Sequence, residues 1–152
     1  MDAKPLLNQF ARALAQEGLE AVLGGNAGAA LHGAPVTTLD FDFLFRPTPR
    51  NISKLKKVAT TLGGVLYRPY YPAANLYRFE NDTNGLQVDF LTQVSAIRSL
   101  AALKSRSATA EFDGHLIWVA ALEDIIKSKR ATGRPKDLAV LPVLEATLAS
   151  KK

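Results

Sequence analysis

Aspartate and phenylalanine alternate in one short segment, and this pattern constrains the fold more than any other part of the chain. The segment Thr38–Phe45 is rich in aromatic and aliphatic residues, which favours a β-strand. Because successive side chains of a strand point to opposite faces, the phenylalanines form one apolar face, whereas Asp40 and Asp42 lie together on the other. The segment therefore predicts a strand that packs against a core on one side and presents two carboxylates on the other.

The two carboxylates of Asp40 and Asp42 repel each other unless a positive group lies between them. Hard oxygen ligands of this kind suit Mg²⁺, which proteins often bind through one or two carboxylates together with substrate phosphates. The alternative interpretation is an edge strand with a solvated acidic face, since structural charges are common.

A glycine pair lies upstream of these aspartates. The short apolar run Ala21–Leu23 predicts a buried strand, and Gly24 and Gly25 follow it directly. Paired glycines let the backbone approach a ligand closely, and the small residues after them can begin a short helix whose free N–H groups favour phosphate. A tight turn without a ligand is the alternative.

A third aspartate lies in a predicted β-hairpin. Two apolar segments, Leu76–Phe79 and Leu86–Leu91, flank the turn signal Asn84-Gly85. Within the second segment Asp89 points away from the apolar face, and a charge inside such a strand needs a partner. Asp82 is interpreted as a turn residue without a chemical role.

In this order the segments resemble the nucleotidyltransferase superfamily with the DNA polymerase β-like fold. The likeness is greatest to small stand-alone prokaryotic members, including AbiEii-type toxins and minimal nucleotidyltransferases, and it covers about residues 20–145. The C-terminal part, Leu122–Asp137, looks like the Lys…Arg…Asp block of these proteins. The family pattern falls on the following residues: Gly24, Gly25, Asp40, Asp42, Asp89, Lys129, Arg134 and Asp137.

The resemblance implies a role for each of these positions. Asp40, Asp42 and Asp89 would bind Mg²⁺ or Mn²⁺, and Asp89 is also the candidate general base. Catalysis would additionally involve Lys129. The nucleoside triphosphate would be bound by Gly24, Gly25, Thr38, Arg134 and Asp137. One departure from the family is Val36, which stands where many of the small enzymes carry an arginine.

Helical spacing supports an inward position for Lys129. Leu122, Ile125 and Ile126 share one face of a predicted helix, and position 129 falls on the same face. An inward lysine needs an anionic partner, which a triphosphate or one of the three aspartates would provide. The alternative is a lysine at the helix end whose aliphatic stem covers the core while its ammonium reaches water. Asp137, likewise, could simply favour the N-terminus of the following helix.

The resemblance does not identify the acceptor, which could be an RNA such as tRNA, a protein or a small molecule. The family also includes the toxins of toxin–antitoxin pairs, so the resemblance is compatible with a toxin. A different class of function is a catalytically silent, antitoxin-like module that binds a nucleotide or a partner. A metal-dependent phosphodiesterase is disfavoured, because the chain has only 2 histidines. The net charge of +5 weakly favours a polyanionic partner.

Length and layout predict one α/β domain over residues 1–152, a mixed β-sheet flanked by helices with a short C-terminal helical segment. The core would extend over about residues 20–92 and the C-terminal strands and helices over about 95–150. The absence of cysteine excludes disulfides, and with no long apolar segment or signal peptide we expect a cytoplasmic protein without a membrane partner. Further predicted helices and strands are 52–62, 65–67, 97–103, 108–112 and 116–119, with helices from Leu122 and near Pro135.

Overall fold

The computed structural model describes residues 4–38, 40–71, 75–81 and 87–151, and its elements alternate between helices and strands. The predicted hairpin turn, with Asp82, Asn84 and Gly85, lies outside the described residues. In chain order the elements are α1 (Lys4–Glu17), β1 (Ala21–Gly24), α2 (Gly25–Leu31), β2 (Asp40–Phe45), α3 (Pro49–Thr61), β3 (Val65–Tyr67), β4 (Leu76–Glu80), β5 (Gln87–Leu91), α4 (Leu100–Arg106), β6 (Ala108–Phe112), β7 (His115–Val119), α5 (Leu122–Thr132) and α6 (Pro135–Ser150).

The strands of the described residues form one mixed sheet in the order β3-β4-β5-β2-β1-β7-β6. In its centre β2 runs antiparallel to β1 and parallel to β5. The C-terminal part of the chain contributes β6 and β7, and β7 lies parallel to β1. The segment that follows the predicted core thus extends the same sheet. The mixed α/β fold that the sequence predicts is confirmed.

One face of the sheet packs against α1 and α3 through an aromatic cluster. Phe43 and Phe90 stack with their ring centroids 5.3 Å apart, and Phe10 of α1 meets Phe79 edge-on at 5.2 Å. All four rings are buried. The phenylalanines of β2 thus point into the core, and its aspartates therefore lie on the opposite face.

The opposite face of the sheet is covered by α2 and by the C-terminal helices. Val22 and Leu44 of the central strands pack there with Leu103 of α4, Ile125 of α5 and Leu144 of α6. This second core lies under β1 and β2, so it brings the C-terminal helices next to the strand that carries the aspartates.

Several element boundaries differ from those predicted by sequence. The second strand begins at Asp40 rather than Thr38. Helix α3 begins at Pro49, earlier than predicted, because the Thr48 side chain caps the Asn51 N–H at 3.1 Å. Helix α4 is displaced to Leu100–Arg106, with Ser99 as its capping residue. Among the described residues no helix is both long and apolar enough to cross a membrane.

Candidate active site

A continuous row of residues crosses the centre of the sheet on the face opposite the aromatic cluster. Gly24 pairs with Asp42, Asp42 with Asp89, and Asp89 with Arg78. Side chains of directly paired residues lie on the same face of a sheet. The parallel pairing of β2 with β5 therefore brings the second and third aspartates of the predicted site side by side.

Asp40 lies on the same face of β2 but closer to solvent, and its side chain is exposed. Thr38 supports the start of this strand: its hydroxyl accepts a hydrogen bond from the Asp40 N–H at 3.0 Å and donates to the Asp40 carbonyl at 3.1 Å. The hydroxyl that was predicted to contact the nucleotide is thus engaged with the backbone beside the first aspartate.

The charge of Asp42 is poorly compensated. Burial, together with the negative charges of Asp89 and Asp40, raises the pKa of its carboxyl from the ordinary 3.8 to about 6. The positive charges of Lys129 and Arg134 act in the opposite direction but do not cancel the increase. A partly buried carboxylate with two acidic neighbours is a favourable position for an added cation.

Gly25 is required by the geometry around Asp42. Its φ of +60° lies in the left-handed region that side chains disfavour, and a Cβ at this position would lie 2.9 Å from Asp42 Oδ2. The second glycine therefore serves the turn and also gives the Asp42 carboxylate its space. Any ligand that reaches Asp42 here would meet backbone rather than a side chain.

Asp89 is held by Arg78 of the neighbouring strand. Arg78 Nε donates to Asp89 Oδ1 at 2.8 Å, and Nη2 donates to Oδ2 at 3.3 Å. The Gln87 amide makes a longer contact of 3.4 Å with Oδ2. Only 18% of the Arg78 side chain and 11% of the Asp89 side chain are exposed, so solvent screens this pair weakly.

A cavity of about 230 Å³ opens next to Asp42, between the sheet and the C-terminal helices. Its polar lining includes Gly24, Gly25, Asp42, Lys129, Arg134 and Asp137. Residues of the glycine turn and of the C-terminal block therefore meet around one space, although about 100 positions separate them in the chain. Asp40 and Asp89 do not line this cavity.

Lys129, Arg134 and Asp137 form one ionic cluster at this cavity. The buried Asp137 carboxylate accepts from Arg134 Nε at 2.7 Å, and Lys129 Nζ lies 3.5 Å from its Oδ1. Burial alone would raise the pKa of Asp137, but the hydrogen bonds and charges of Arg134 and Lys129 together lower it. Only 12% of the Lys129 side chain is exposed, so it points inward rather than to solvent. Its direct carboxylate contact is with Asp137.

The donor set around Asp42 fits a hard divalent cation in chemistry and in charge. Asp40, Asp42 and Asp89 offer carboxylate oxygens on one face of the sheet, and the charges of Asp89 and Asp40 add to the effect of burial in raising the pKa of Asp42. Within the part of the chain that the structure describes, however, no three acidic, histidine or cysteine side chains converge closely enough to hold a metal ion. The third carboxylate is instead paired with Arg78.

Arg78 is the site residue that the sequence analysis did not identify. The available signal was an arginine inside the apolar segment Leu76–Phe79, one strand away from an aspartate that needed a partner. Spacing along the chain could not assign that pairing, because it depends on the register between β4 and β5.

Comparison with known proteins gives similarity in structure but not in sequence. No family model matches the chain, and no curated protein matches it in sequence. The structure is similar to that of ANT(2'')-Ia in complex with adenylyl-2''-tobramycin, with a TM-score of 0.65, 17% identity, and coverage of 97% of this chain and 90% of the other.

Two further solved structures share the fold. The Thermotoga maritima protein TM1012, for which a nucleotidyltransferase function has been suggested, has a TM-score of 0.63 at 16% identity and covers 91% of this chain and 89% of its own. The lincosamide antibiotic adenylyltransferase LnuA has a TM-score of 0.60 at 11% identity, with coverage of 88% and 90%. The chain therefore has a nucleotidyltransferase-like fold.

Proposed function

We propose that this protein is a metal-dependent nucleotidyltransferase that transfers a nucleoside monophosphate from a nucleoside triphosphate to an acceptor. The observation that carries the proposal is the single cavity at which Gly24, Gly25 and Asp42 meet Lys129 and Arg134. A polyanionic triphosphate needs positive charge and close backbone approach, and the reaction needs acidic groups beside it. These requirements coincide at this cavity.

Each side of the cavity has a distinct task in this proposal. The turn at Gly24 and Gly25 lets the triphosphate approach the backbone without a side chain in the way. Lys129 and Arg134 provide positive charge on the opposite wall, and Asp137 orients both cations. With the triphosphate held in one orientation, the acceptor oxygen attacks the α-phosphorus and pyrophosphate leaves.

Asp40, Asp42 and Asp89 would hold Mg²⁺ or Mn²⁺. Such an ion would neutralise part of the phosphate charge and would lower the pKa of the attacking hydroxyl. Asp89 is the general base of the proposal. Its Oδ2 is the atom that would accept the proton from the acceptor, because its contacts with Arg78 and Gln87 are long, at 3.3 and 3.4 Å.

The acceptor is an RNA such as tRNA, a protein or a small molecule. Two proteins of similar fold act on antibiotics: ANT(2'')-Ia was solved with adenylyl-2''-tobramycin, and LnuA with lincomycin. The sequence also resembles toxins of toxin–antitoxin pairs. The proposal therefore includes an RNA or protein acceptor and a role as a toxin, in addition to small-molecule acceptors.

The test is label transfer from each of the α-³²P-labelled nucleoside triphosphates in the presence of Mg²⁺ or Mn²⁺. Total RNA, a cell protein extract, and a panel of aminoglycosides and lincosamides serve as separate acceptors. We expect transfer to one of them, and a loss of about 100-fold or more in Asp42→Asn, since it removes a group that acts on the reacting phosphate. The matched control is Asp113→Asn, which alters an exposed ion pair with Arg12. Equal transfer by wild type and Asp42→Asn would contradict the proposal.

A second candidate function is a catalytically silent module that binds a nucleotide or a partner. The observation that favours it is the Arg78–Asp89 pair, which neutralises the third carboxylate. This module would bind a labelled nucleoside triphosphate in equilibrium dialysis but transfer label to none of the three acceptor classes. Transfer that depends on Asp42 would exclude it.

A further inference from the structure

The Arg78–Asp89 pair lies inside the row of residues that the proposed reaction uses. Its two hydrogen bonds involve both carboxylate oxygens, and its side chains are mostly buried. Charge-assisted pairs with two parallel hydrogen bonds are the strong ones in proteins. Asp89 is therefore neutralised and fixed in direction when no cation is present.

This arrangement conflicts with a cation at the same carboxylates. The guanidinium carries a permanent positive charge, and it lies one strand from Asp89, which is itself in register with Asp42. A divalent ion held by Asp42 and Asp89 would repel Arg78 and compete for the same oxygen atoms. The cation and the Arg78 guanidinium therefore cannot both bind the two Asp89 carboxylate oxygens at the same time.

A second acceptor for Arg78 lies on the same strand. Glu80 is two residues further along β4, so its side chain is on the same face. The carboxylate of Glu80 already accepts a hydrogen bond of 2.8 Å from the Tyr67 hydroxyl, and Tyr67 is the direct register partner of Arg78. An arginine side chain can therefore exchange Asp89 for Glu80 without any change in the backbone.

We propose that Arg78 is a positioning residue that holds Asp89 in the metal-free protein and moves to Glu80 when a divalent cation binds at Asp42 and Asp89. The inference rests on the proposed function, because it needs a cation at these carboxylates. In this exchange the cation must displace Arg78 from Asp89, so the free protein binds metal weakly. The Asp89 carboxylate becomes free to take part in the reaction only when the cation binds.

The experiment is a titration with Mn²⁺ alone, followed by electron paramagnetic resonance of the free ion, on the full chain. Arg78→Met removes the competitor, and we expect its Mn²⁺ affinity to rise about tenfold, since hydrogen bonds to charged groups are strong. Arg78→Lys should restore part of the competition. Glu80→Gln removes the negative charge of the second acceptor, so Arg78 should stay on Asp89, and we expect weaker Mn²⁺ binding than in wild type. This variant keeps the inference testable if Arg78→Met folds poorly.

The matched control is Arg12→Met. Arg12 pairs with Asp113 at 3.0 Å, and neither residue belongs to the row of paired residues or lines the cavity. We expect it to leave the Mn²⁺ affinity unchanged. A structural role alone for Arg78 would give the same result in Arg78→Met.

Asp42→Asn separates the two possible failures. If wild type binds Mn²⁺, Asp42→Asn abolishes binding, and Arg78→Met and Glu80→Gln both leave the affinity unchanged, the role of Arg78 is wrong and the proposed function stands. If neither wild type nor Arg78→Met has a Mn²⁺ site that the further change Asp42→Asn removes, the metal site and the role of Arg78 are both wrong. A rise in affinity for Arg78→Met with a fall for Glu80→Gln supports the exchange.

Discussion

At the scale of single residues, the ionised Asp42 carboxylate lowers the stability of the fold, although the proposed reaction requires it. Its partly buried carboxylate lies between two acidic neighbours, and its pKa is raised from 3.8 to about 6. A raised pKa means that the folded state binds a proton more tightly than the unfolded state does. The free energy of unfolding therefore falls as the pH rises from about 4 through about 6, where Asp42 ionises in the folded state.

We therefore expect the metal-free protein to lose stability through Asp42 as the pH rises from about 4 to about 7, by at most about 3 kcal/mol. Asp42→Asn should remove this loss, so that the variant is more stable than wild type at neutral pH and equal to it near pH 4. Urea denaturation in EDTA at both pH values measures the difference. Destabilisation of Asp42→Asn at neutral pH would instead indicate that the carboxylate belongs to a structural ion pair.

At the scale of elements, α5 connects the predicted pattern to the cavity. The apolar positions Leu122, Ile125 and Ile126 are buried against the sheet, and Lys129 follows them on the same side of the helix. The start of α6 then places Asp137 against Lys129. The helix pair thus presents an inward lysine next to Asp42, with a neighbouring carboxylate that offsets the cost of its burial.

For Lys129→Met we expect a loss of about tenfold or more in nucleoside triphosphate affinity, because a charge-assisted contact with phosphate disappears. The fold should be retained, since Arg134 still pairs with Asp137. Equilibrium binding of ATP and thermal denaturation measure the two effects.

Lys127→Met is the matched control for Lys129→Met, because Lys127 is exposed on the same helix. It should change neither binding nor stability. If Lys129→Met lowers the melting temperature but leaves ATP binding intact, Lys129 serves only as a counter-ion of Asp137.

At the scale of the whole molecule, the aromatic cluster joins α1 to the strands that carry the site. Phe10 contacts Phe43, Phe79 and Phe90, with ring centroids 6.2, 5.2 and 6.1 Å apart. These partners lie on β2, β4 and β5, the strands that bear Asp42, Arg78 and Asp89 on their other face. The packing of one face therefore stabilises the register on which the other face depends.

We expect Phe10→Ala to reduce the free energy of unfolding by about 3–5 kcal/mol, because it leaves a cavity where three rings meet. Urea denaturation measures this, with Leu116→Ala as a control, since Leu116 is 61% exposed. A loss below about 1 kcal/mol for Phe10→Ala would mean that α1 contributes little to the sheet.

The sequence by itself indicated most of the helices and strands and the faces on which Asp40, Asp42 and Lys129 lie. Alternation places Asp40 and Asp42 opposite the phenylalanines of β2, and the structure has this arrangement. Helical spacing likewise predicts the inward side of α5. These inferences succeed because the side-chain period of a strand or a helix is a local property of the backbone.

The register between elements was decided only by the tertiary structure. A two-residue turn at Asn84-Gly85 would place Glu80 opposite Asp89, whereas the observed pairing places Arg78 there, two residues away. A shift of two residues keeps every side chain on its face, so the hydrophobic pattern does not distinguish the two registers. The observed register nevertheless gives Asp89 the positively charged Arg78 as its neighbour in place of the negatively charged Glu80.

The pairing of Lys129 with Asp137 has the same origin. The sequence indicates an inward lysine that needs an anion, but the packing of α6 against α5 selects which carboxylate it contacts. Local periodicity therefore determined which groups face the site. The contacts between elements, which depend on loops and on packing across the whole sheet, decided which of those charges meet.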